Sequence, residues 1–358
     1  MVLVKRVQSP SDLTLWLSSI AYADIINFIE DVNLSVRSKL ISAGLTPSAS
    51  VSKVITLLER LDAQVELTPL EVNPQRYGNK AFRDYYSWLC QNATSICQET
   101  LEIETTAENF DELVKYLTES VGNPVRIDYG TGHELAFIAF LLALFKMGFL
   151  KKPESAIINQ KTGSALEHNE YAEIALCVFP VYLRFVRHLQ TYFRMEPAGS
   201  HGAWSLDDFQ FVPYIWGSSQ LMGTGLYEPS VIPNKEVASK EAESCLLFSC
   251  VNYIFQVKTG PFAEHSSCLQ SLSNVPHWEK INSGMLKMYK GEVLNKFPVV
   301  QHFLFGNLLR FEPAPPGALK AGPPGGAKLP SSSTSAGPRK DMSAFSHQPP
   351  FVKPTGDP

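Results

Sequence analysis

Apolar residues in this chain recur at helical spacing almost throughout and alternate at strand spacing almost nowhere, which restricts the fold to the all-α class. Between Ser11 and Leu34, the positions Leu13, Leu17, Ile20, Ile25 and Phe28 mark one face of a helix. The cluster from Thr46 to Ser50 opens a second helix, which passes through Leu57, Leu58 and Leu61 and ends before Pro69. The same spacing continues over Tyr77–Leu101 and Phe110–Thr118. The clearest long helix runs from Ala165 to Met195, with Ile174, Val178, Val181, Phe185, Leu189 and Tyr192 on one stripe. Pro180 should kink it, because proline lacks the amide donor and clashes with the preceding turn. Further helices are expected over Glu241–Val257 and Gly284–Leu294, and no internal repeat is visible.

A chain of 358 residues can bury a large core. Its net charge of -4 argues against a dedicated nucleic-acid binder, which usually carries a basic surplus. The most apolar stretch, Leu135 to Phe145, is stopped by Lys146 well short of the roughly 20 residues that span a bilayer. The basic amino end is followed by Asp12, Ser18, Ser19 and Asp24 rather than by a clean apolar block, so no secretory signal is read. Six scattered cysteines, with no CxxC pair, fit small core residues in a reducing compartment better than a disulfide framework or a zinc site. These features predict a cytoplasmic protein, with the nucleus a second location, acting on neither nucleic acid nor membrane. From Glu312 onward Pro, Gly, Ser and Lys dominate, and such a composition buries too little apolar surface to offset chain entropy. The expected organisation is a helical domain over 1–311 and a disordered tail over 312–358.

Four segments are dense in chemistry. Arg126-Ile-Asp-Tyr-Gly-Thr-Gly-His-Glu134 runs straight into the apolar helix, so a Gly-Thr-Gly turn would present free amides and the positive end of a helix dipole to an anion. Arg126 can add a charge-assisted fork. The segment is neither a Walker A loop nor a zincin, and read alone it is also an ordinary capped helix start. The second segment, Arg194 to Ser219, carries glycines, the pair Asp207-Asp208 and the aromatics Trp204, Phe209, Phe211, Tyr214 and Trp216. Its Ala198-Gly-Ser-His-Gly202 misses the first glycine and the preceding strand of a nucleophile elbow. Paired carboxylates suit a divalent cation, yet adjacent aspartates are more often helix caps. The third, Lys258 to Ser266, reads as a turn with an exposed Pro-Phe. The fourth, Phe297 to Leu309, holds Gln301 and His302 inside an apolar run, where satisfied core polar groups are the default.

In order and wording these segments resemble the phosphotyrosyl phosphatase activator family. The resemblance rests on Arg-Tyr-Gly-Asn-Lys-Ala-Phe-Arg (76–83), Gly-Asn-Pro-Val-Arg-Ile-Asp-Tyr-Gly-Thr-Gly-His-Glu (122–134) and Met-Glu-Pro-Ala-Gly-Ser-His-Gly (195–202). Leu-Asp-Asp-Phe (206–209), Trp-Gly-Ser-Ser-Gln-Leu (216–221), Lys-Thr-Gly-Pro-Phe-Ala-Glu-His-Ser (258–266) and Phe-Pro-Val-Val-Gln-His-Phe (297–303) extend it. It implies a helical fold of core, linker and lid parts that binds ATP with magnesium and activates the catalytic subunit of protein phosphatase 2A. It also implies peptidyl-prolyl cis/trans isomerase activity on a proline-containing peptide. Carried over by motif, Arg126, Thr131 and Gly132 would meet ATP phosphates, and Gln301 and His302 would line the nucleotide pocket. Gly202, through its carbonyl, and Asp208 would hold Mg2+, while Ala203 and Glu264 would face the phosphatase or peptide.

For the isomerase, Trp204, Phe209, Tyr214 and Trp216 would form a dry groove, with Asp207 or Asp208 orienting the peptide. The chain departs from the family at Ala203-Trp204-Ser205, where Val-Trp-Gly is usual, and over Met222 to Ala238. The competing expectations are an ATP-dependent phosphatase activator, a stand-alone prolyl isomerase, and a scaffold whose Pro-rich tail recruits other domains.

Overall fold

The computed structural model describes residues 3–42, 45–72, 77–153, 169–199 and 205–319. Its helices are α1 (Leu13–Leu17), α2 (Ile20–Ser35), α3 (Ala49–Glu66), α4 (Phe82–Leu101), α5 (Ala107–Glu119) and α6 (Thr131–Lys146). After them come α7 (Glu170–Glu173), α8 (Phe179–Tyr192), α9 (Val212–Leu221), α10 (Lys235–Lys240) and α11 (Leu246–Val257). The last are α12 (Phe262–His265), α13 (Ser267–Leu272), α14 (Trp278–Tyr289) and α15 (Phe297–Val300). Four two-residue strands complete the described residues: β1 (Val4–Lys5), β2 (Asp128–Tyr129), β3 (Glu196–Pro197) and β4 (Leu304–Phe305). The fold is all-α, as the periodicity predicts.

Local chemistry sets the helix boundaries. The Ser48 hydroxyl accepts from the Val51 amide at 3.1 Å and starts α3. Ser19 does the same for α2 through the Tyr22 amide, and so divides what the spacing alone predicts as one helix from Ser11 to Leu34. The division has a long-range cause. Around Ser19 the chain pairs with the segment after the last strand: the Ile20 amide donates to the Glu312 carbonyl and the Ala314 amide to the Ser18 carbonyl, both at 2.8 Å. Residues 312–318 are therefore hydrogen bonded against α1 and α2, with the Ala318 carbonyl accepting from Asn27 at 2.7 Å, rather than opening a disordered tail. The remainder of that expected tail lies outside the described residues.

The interruption expected at Pro180 takes the form of a π turn, Ile174–Val178, immediately before α8, and Pro180 then occupies an early position of α8 where its missing amide costs little. Helix α6 is the central post, with every residue from Glu134 to Phe145 buried. The ring of Phe137 stacks on that of Tyr182 in α8 with centroids 3.6 Å apart. Buried apolar residues from Val7 to Leu309 form one continuous cluster around this post. Helices α9 and α11 cross so closely that a Cβ on Gly217 would lie 2.2 Å from the Leu247 amide nitrogen, so glycine is required there.

Candidate functional site

Three of the motif segments meet at the amino end of α6. Strand β2 pairs in parallel with β3, the Glu196 amide donating to the Ile127 carbonyl at 3.0 Å and the Ala198 amide to the Tyr129 carbonyl at 2.7 Å. The turn leading into β2 requires Gly122: its φ is +122°, and a Cβ there would sit 2.4 Å from Met195 Cε. Ile127 also adopts a left-handed backbone, with φ +52°, which for a β-branched residue costs about 1–3 kcal/mol. The conformation leaves Arg126 exposed and Asp128 buried. Arg126 Nε then donates to Asp128 Oδ2 at 2.6 Å.

Helix α6 begins after Gly130, so Thr131 and Gly132, both half-exposed, are its first two residues, and their amides have no intrahelical acceptor. His133 Nδ1 lies 2.6 Å from the Glu119 carbonyl, to which it donates. Its Nε2 faces Asp128 Oδ1 at 4.0 Å. Burial pushes the His133 pKa below its ordinary value, against the Glu119 hydrogen bond and the Asp128 charge. Gly132 packs beside Val299 of α15, which brings the carboxyl-terminal motif to the same place. Partial burial lowers the pKa of His302, and the positive charges of Lys5, Arg126 and His133 lower it further. Lys5 arrives through the antiparallel pairing of β1 with β4, in register with Leu304. Gln301 is half-exposed and donates from Nε2 to the Pro298 carbonyl at 3.3 Å, so neither it nor the surface residue His302 is the core polar group that the apolar run suggests.

Glu134 ties this end to the second segment. It is fully buried, and its carboxylate accepts from the Phe211 amide at 2.9 Å and the Val212 amide at 3.1 Å, at the start of α9. Burial raises its pKa to about 8; those two amides oppose the shift, and the charge of Asp207 adds to it.

The two adjacent aspartates have separate tasks. Asp207 Oδ1 accepts from the amides of Phe209 at 2.7 Å and Gln210 at 3.0 Å, while Oδ2 accepts from the Tyr214 hydroxyl at 2.5 Å. Both its oxygens are used inside the turn, so the expectation that Asp207 orients a peptide gives way to a structural role. Asp208 points elsewhere and pairs with Lys258 Nζ at 2.6 Å, which joins the second segment to the third. Glu264 stands exposed on α12 in that third segment. The aromatic groove is corrected as well. Tyr214 and Trp216 are wholly buried, the latter donating to the Ile29 carbonyl at 3.1 Å, and among the described residues of that expected groove only Phe209 keeps partial exposure. Gly202, Ala203 and Trp204 lie outside the described residues.

The arrangement suits a polyanion at the α6 end: two helix-terminal amides, the Arg126 guanidinium, and cationic or polar groups from Lys5 and His302. For a cation, no group of three or more His, Cys, Asp or Glu side chains with metal-binding placement exists among the described residues. Magnesium needs fewer, since it is commonly held by one or two carboxylates with water and phosphate oxygens. Asp208 fits that donor set where Lys258 yields it, and Asp207 does not. Sequence reasoning passed over Lys5 and Glu134 as site residues; Lys5 carries no local signal, because a strand pairing across some 300 residues brings it here.

The chain is similar to known proteins over most of its length. A family model described as phosphotyrosyl phosphate activator (PTPA) protein matches residues 3–311. The chain is 40% identical over 315 residues to the serine/threonine-protein phosphatase 2A activator of Drosophila melanogaster, covering 88% of this chain and 75% of that one. It is 37% identical over 309 residues to a probable serine/threonine-protein phosphatase 2A activator 1 of Dictyostelium discoideum, covering 86% and 90%. The crystal structure of the PP2A phosphatase activator Ypa1 PTPA1 superposes with a TM-score of 0.74 at 31% identity, covering 88% of this chain and 96% of that one.

Proposed function

Because the chain belongs to the phosphotyrosyl phosphate activator family, we propose that it activates protein phosphatase 2A by binding the catalytic subunit with ATP and Mg2+. The names of its relatives support the phosphatase as partner. The observation that carries the nucleotide half is the convergence of the α6 amides with Arg126, Lys5 and His302 from three remote stretches. In this reading Arg126, Thr131 and Gly132 hold the phosphates, His302 and Gln301 border them, and Asp208 with Gly202 holds the metal. Bound Mg2+ would neutralise phosphate charge beside the partner. The exposed Glu264 and the neighbourhood of Ala203 belong to the docking face. The protein's own work is to position: α6 fixes the amides, Asp128 aims the guanidinium, and the Asp207 turn presents Asp208.

Prolyl isomerisation is a finer reading that rests on family membership. With Tyr214 and Trp216 in the core, the described aromatics do not supply a groove for a proline-containing peptide, so the regulatory role leads. A cytoplasmic setting, with the nucleus as a second, accords with a phosphatase regulator.

The test is ATP- and Mg2+-dependent reactivation of purified phosphatase 2A catalytic subunit by wild type and Arg126→Ala, beside a proline-peptide assay without phosphatase. Wild type should reactivate, and Arg126→Ala should need about tenfold more ATP, the worth of one lost charge-assisted hydrogen bond. Equal ATP requirements would remove Arg126 from the nucleotide site. Isomerisation without reactivation would put the enzyme reading first.

A further inference from the structure

The two parts of the proposed site, the phosphate-facing end of α6 and the turn carrying Asp207 and Asp208, come from segments about 75 residues apart in sequence. One side chain joins them directly. Glu134 stands one turn into α6, three residues after Thr131, with no exposure to solvent. Its Oε2 accepts from Phe211 at 2.9 Å and Val212 at 3.1 Å, and its Oε1 is 3.1 Å from the same Phe211 amide. These are the amides of Phe211, the N-cap residue, and of Val212, the first residue of α9, so one carboxyl group on the first turn of α6 caps a second helix where it begins.

The residues just before that cap are the Asp207 turn. The Gln210 side chain gives the turn a second tether, donating to the Tyr129 hydroxyl at 3.3 Å beside β2, and Tyr129 is in turn hydrogen bonded to Tyr182 at 2.7 Å. Asp208 leaves this turn toward Lys258. The position of Asp208 relative to the α6 amides is therefore set from the carboxyl-terminal side of its turn, by the Gln210 tether and the adjoining Glu134 cap.

We propose that Glu134 is a positioning residue that makes the Asp207–Asp208 turn follow the amino end of α6, and so couples the nucleotide end of the site to its metal and partner end. It touches neither ligand. The inference rests on the nucleotide-dependent activator reading for its functional consequence, and on the cap geometry alone for its mechanical one. A carboxyl group suits the place because both facing groups are donors and its oxygens can accept in either protonation state. Glutamine keeps the volume but turns an NH2 toward an N–H, so one hydrogen bond is lost with little change in packing.

The experiment compares full-length wild type with Glu134→Gln by three readouts: hydrogen–deuterium exchange along the chain, ATP affinity without Mg2+, and the Mg2+ concentration for half-maximal phosphatase reactivation. The expected result is exchange about tenfold faster over 205–216, with α6 and α3 unchanged. ATP affinity should stay within about twofold, and the Mg2+ requirement should rise about tenfold, the low end for losing a group that orients a metal ligand. Unchanged exchange over 205–216, or an ATP affinity that falls in step with the Mg2+ requirement, would overturn the coupling. Faster exchange throughout the chain would reduce Glu134 to a core residue and also overturn it. If wild type shows no nucleotide-dependent reactivation, the activator reading fails, and confined exchange over 205–216 still establishes the tether.

Discussion

The amino end of α6 and the α9–α11 face are both assembled from distant segments, yet they handle charge in opposite ways. At the first, Lys5, Arg126 and His302 gather around half-exposed helix amides, and Asp128 answers Arg126. At the second, both adjacent aspartates are answered internally: Asp207 by two amides and Tyr214, Asp208 by Lys258. The first region is a standing site for an anion. The second holds its carboxylate in reserve, so a cation must compete with a lysine to reach it. Two residues adjacent in sequence can thus belong to one motif and still differ entirely in what they offer a ligand.

The comparison breaks most severely at Gly217. An alanine Cβ would collide with backbone atoms of Leu247, its Cα at 2.8 Å as well as its amide nitrogen, so the α9 and α11 backbones must part. Overpacking of this kind costs about 3 kcal/mol. Gly217→Ala should lower the urea midpoint with little change in the slope. Nucleotide affinity of the protein that remains folded should persist, since the α6 end is built from other contacts. A variant of wild-type stability would mean that the helices do not approach so closely.

A smaller effect probes the junction between the two regions. Glu134 is held at about 8 in the fold by burial, against an unfolded value of 4.5. Between those values the folded state binds the extra proton, so stability must fall as pH rises, and it levels off above the folded value. His133 and His302, whose pKa values are depressed, work in the opposite sense, but only up to their unfolded value of 6.5. Asp207, raised by burial, shares the sign of Glu134 from a lower starting value. Above about 6.5 the histidines no longer oppose the fall, so the window up to about 8 carries the Glu134 contribution together with any of the same sign from Asp207, with a slope approaching about 1 kcal/mol per pH unit. Glu134→Gln should flatten that slope in urea titrations across the window. A slope that persists in the variant assigns the proton to another group.

How much of this was legible beforehand follows from the range of each interaction. Helix content and the apolar body of α6 follow from local spacing, and the anion-binding character of the Gly-Thr-Gly turn follows from its place before that body. The break at Ser19 was not legible, because it is imposed by backbone pairing with residues near Glu312 and Ala314. The same limit applies at the site. The motif wording marked Asp207 and Asp208 as a pair, but which carboxylate turns inward depends on Tyr214 seven residues further on and on Lys258 fifty residues away. Tyr214 and Trp216 looked like groove aromatics from their spacing. Only packing against α2 and the Asp207 turn shows them to be core.

The gentlest perturbation tests whether the reserve at Asp208 is real. The Lys258–Asp208 pair is partly exposed, about a fifth of each side chain, so its contribution to stability should be below about 1 kcal/mol. Lys258→Met keeps the apolar stem and removes the charge, leaving Asp208 without its cation. Thermal stability should change little, while the Mg2+ concentration for half-maximal reactivation should fall severalfold, because the metal no longer displaces an ammonium group. Asp208→Asn in the same background should reverse the gain, which separates a freed ligand from a general change in surface charge. A rise in the Mg2+ requirement on losing Lys258 would mean that the lysine itself contacts the nucleotide phosphates, and the α9–α11 face would then be a second anion site rather than a self-compensated one.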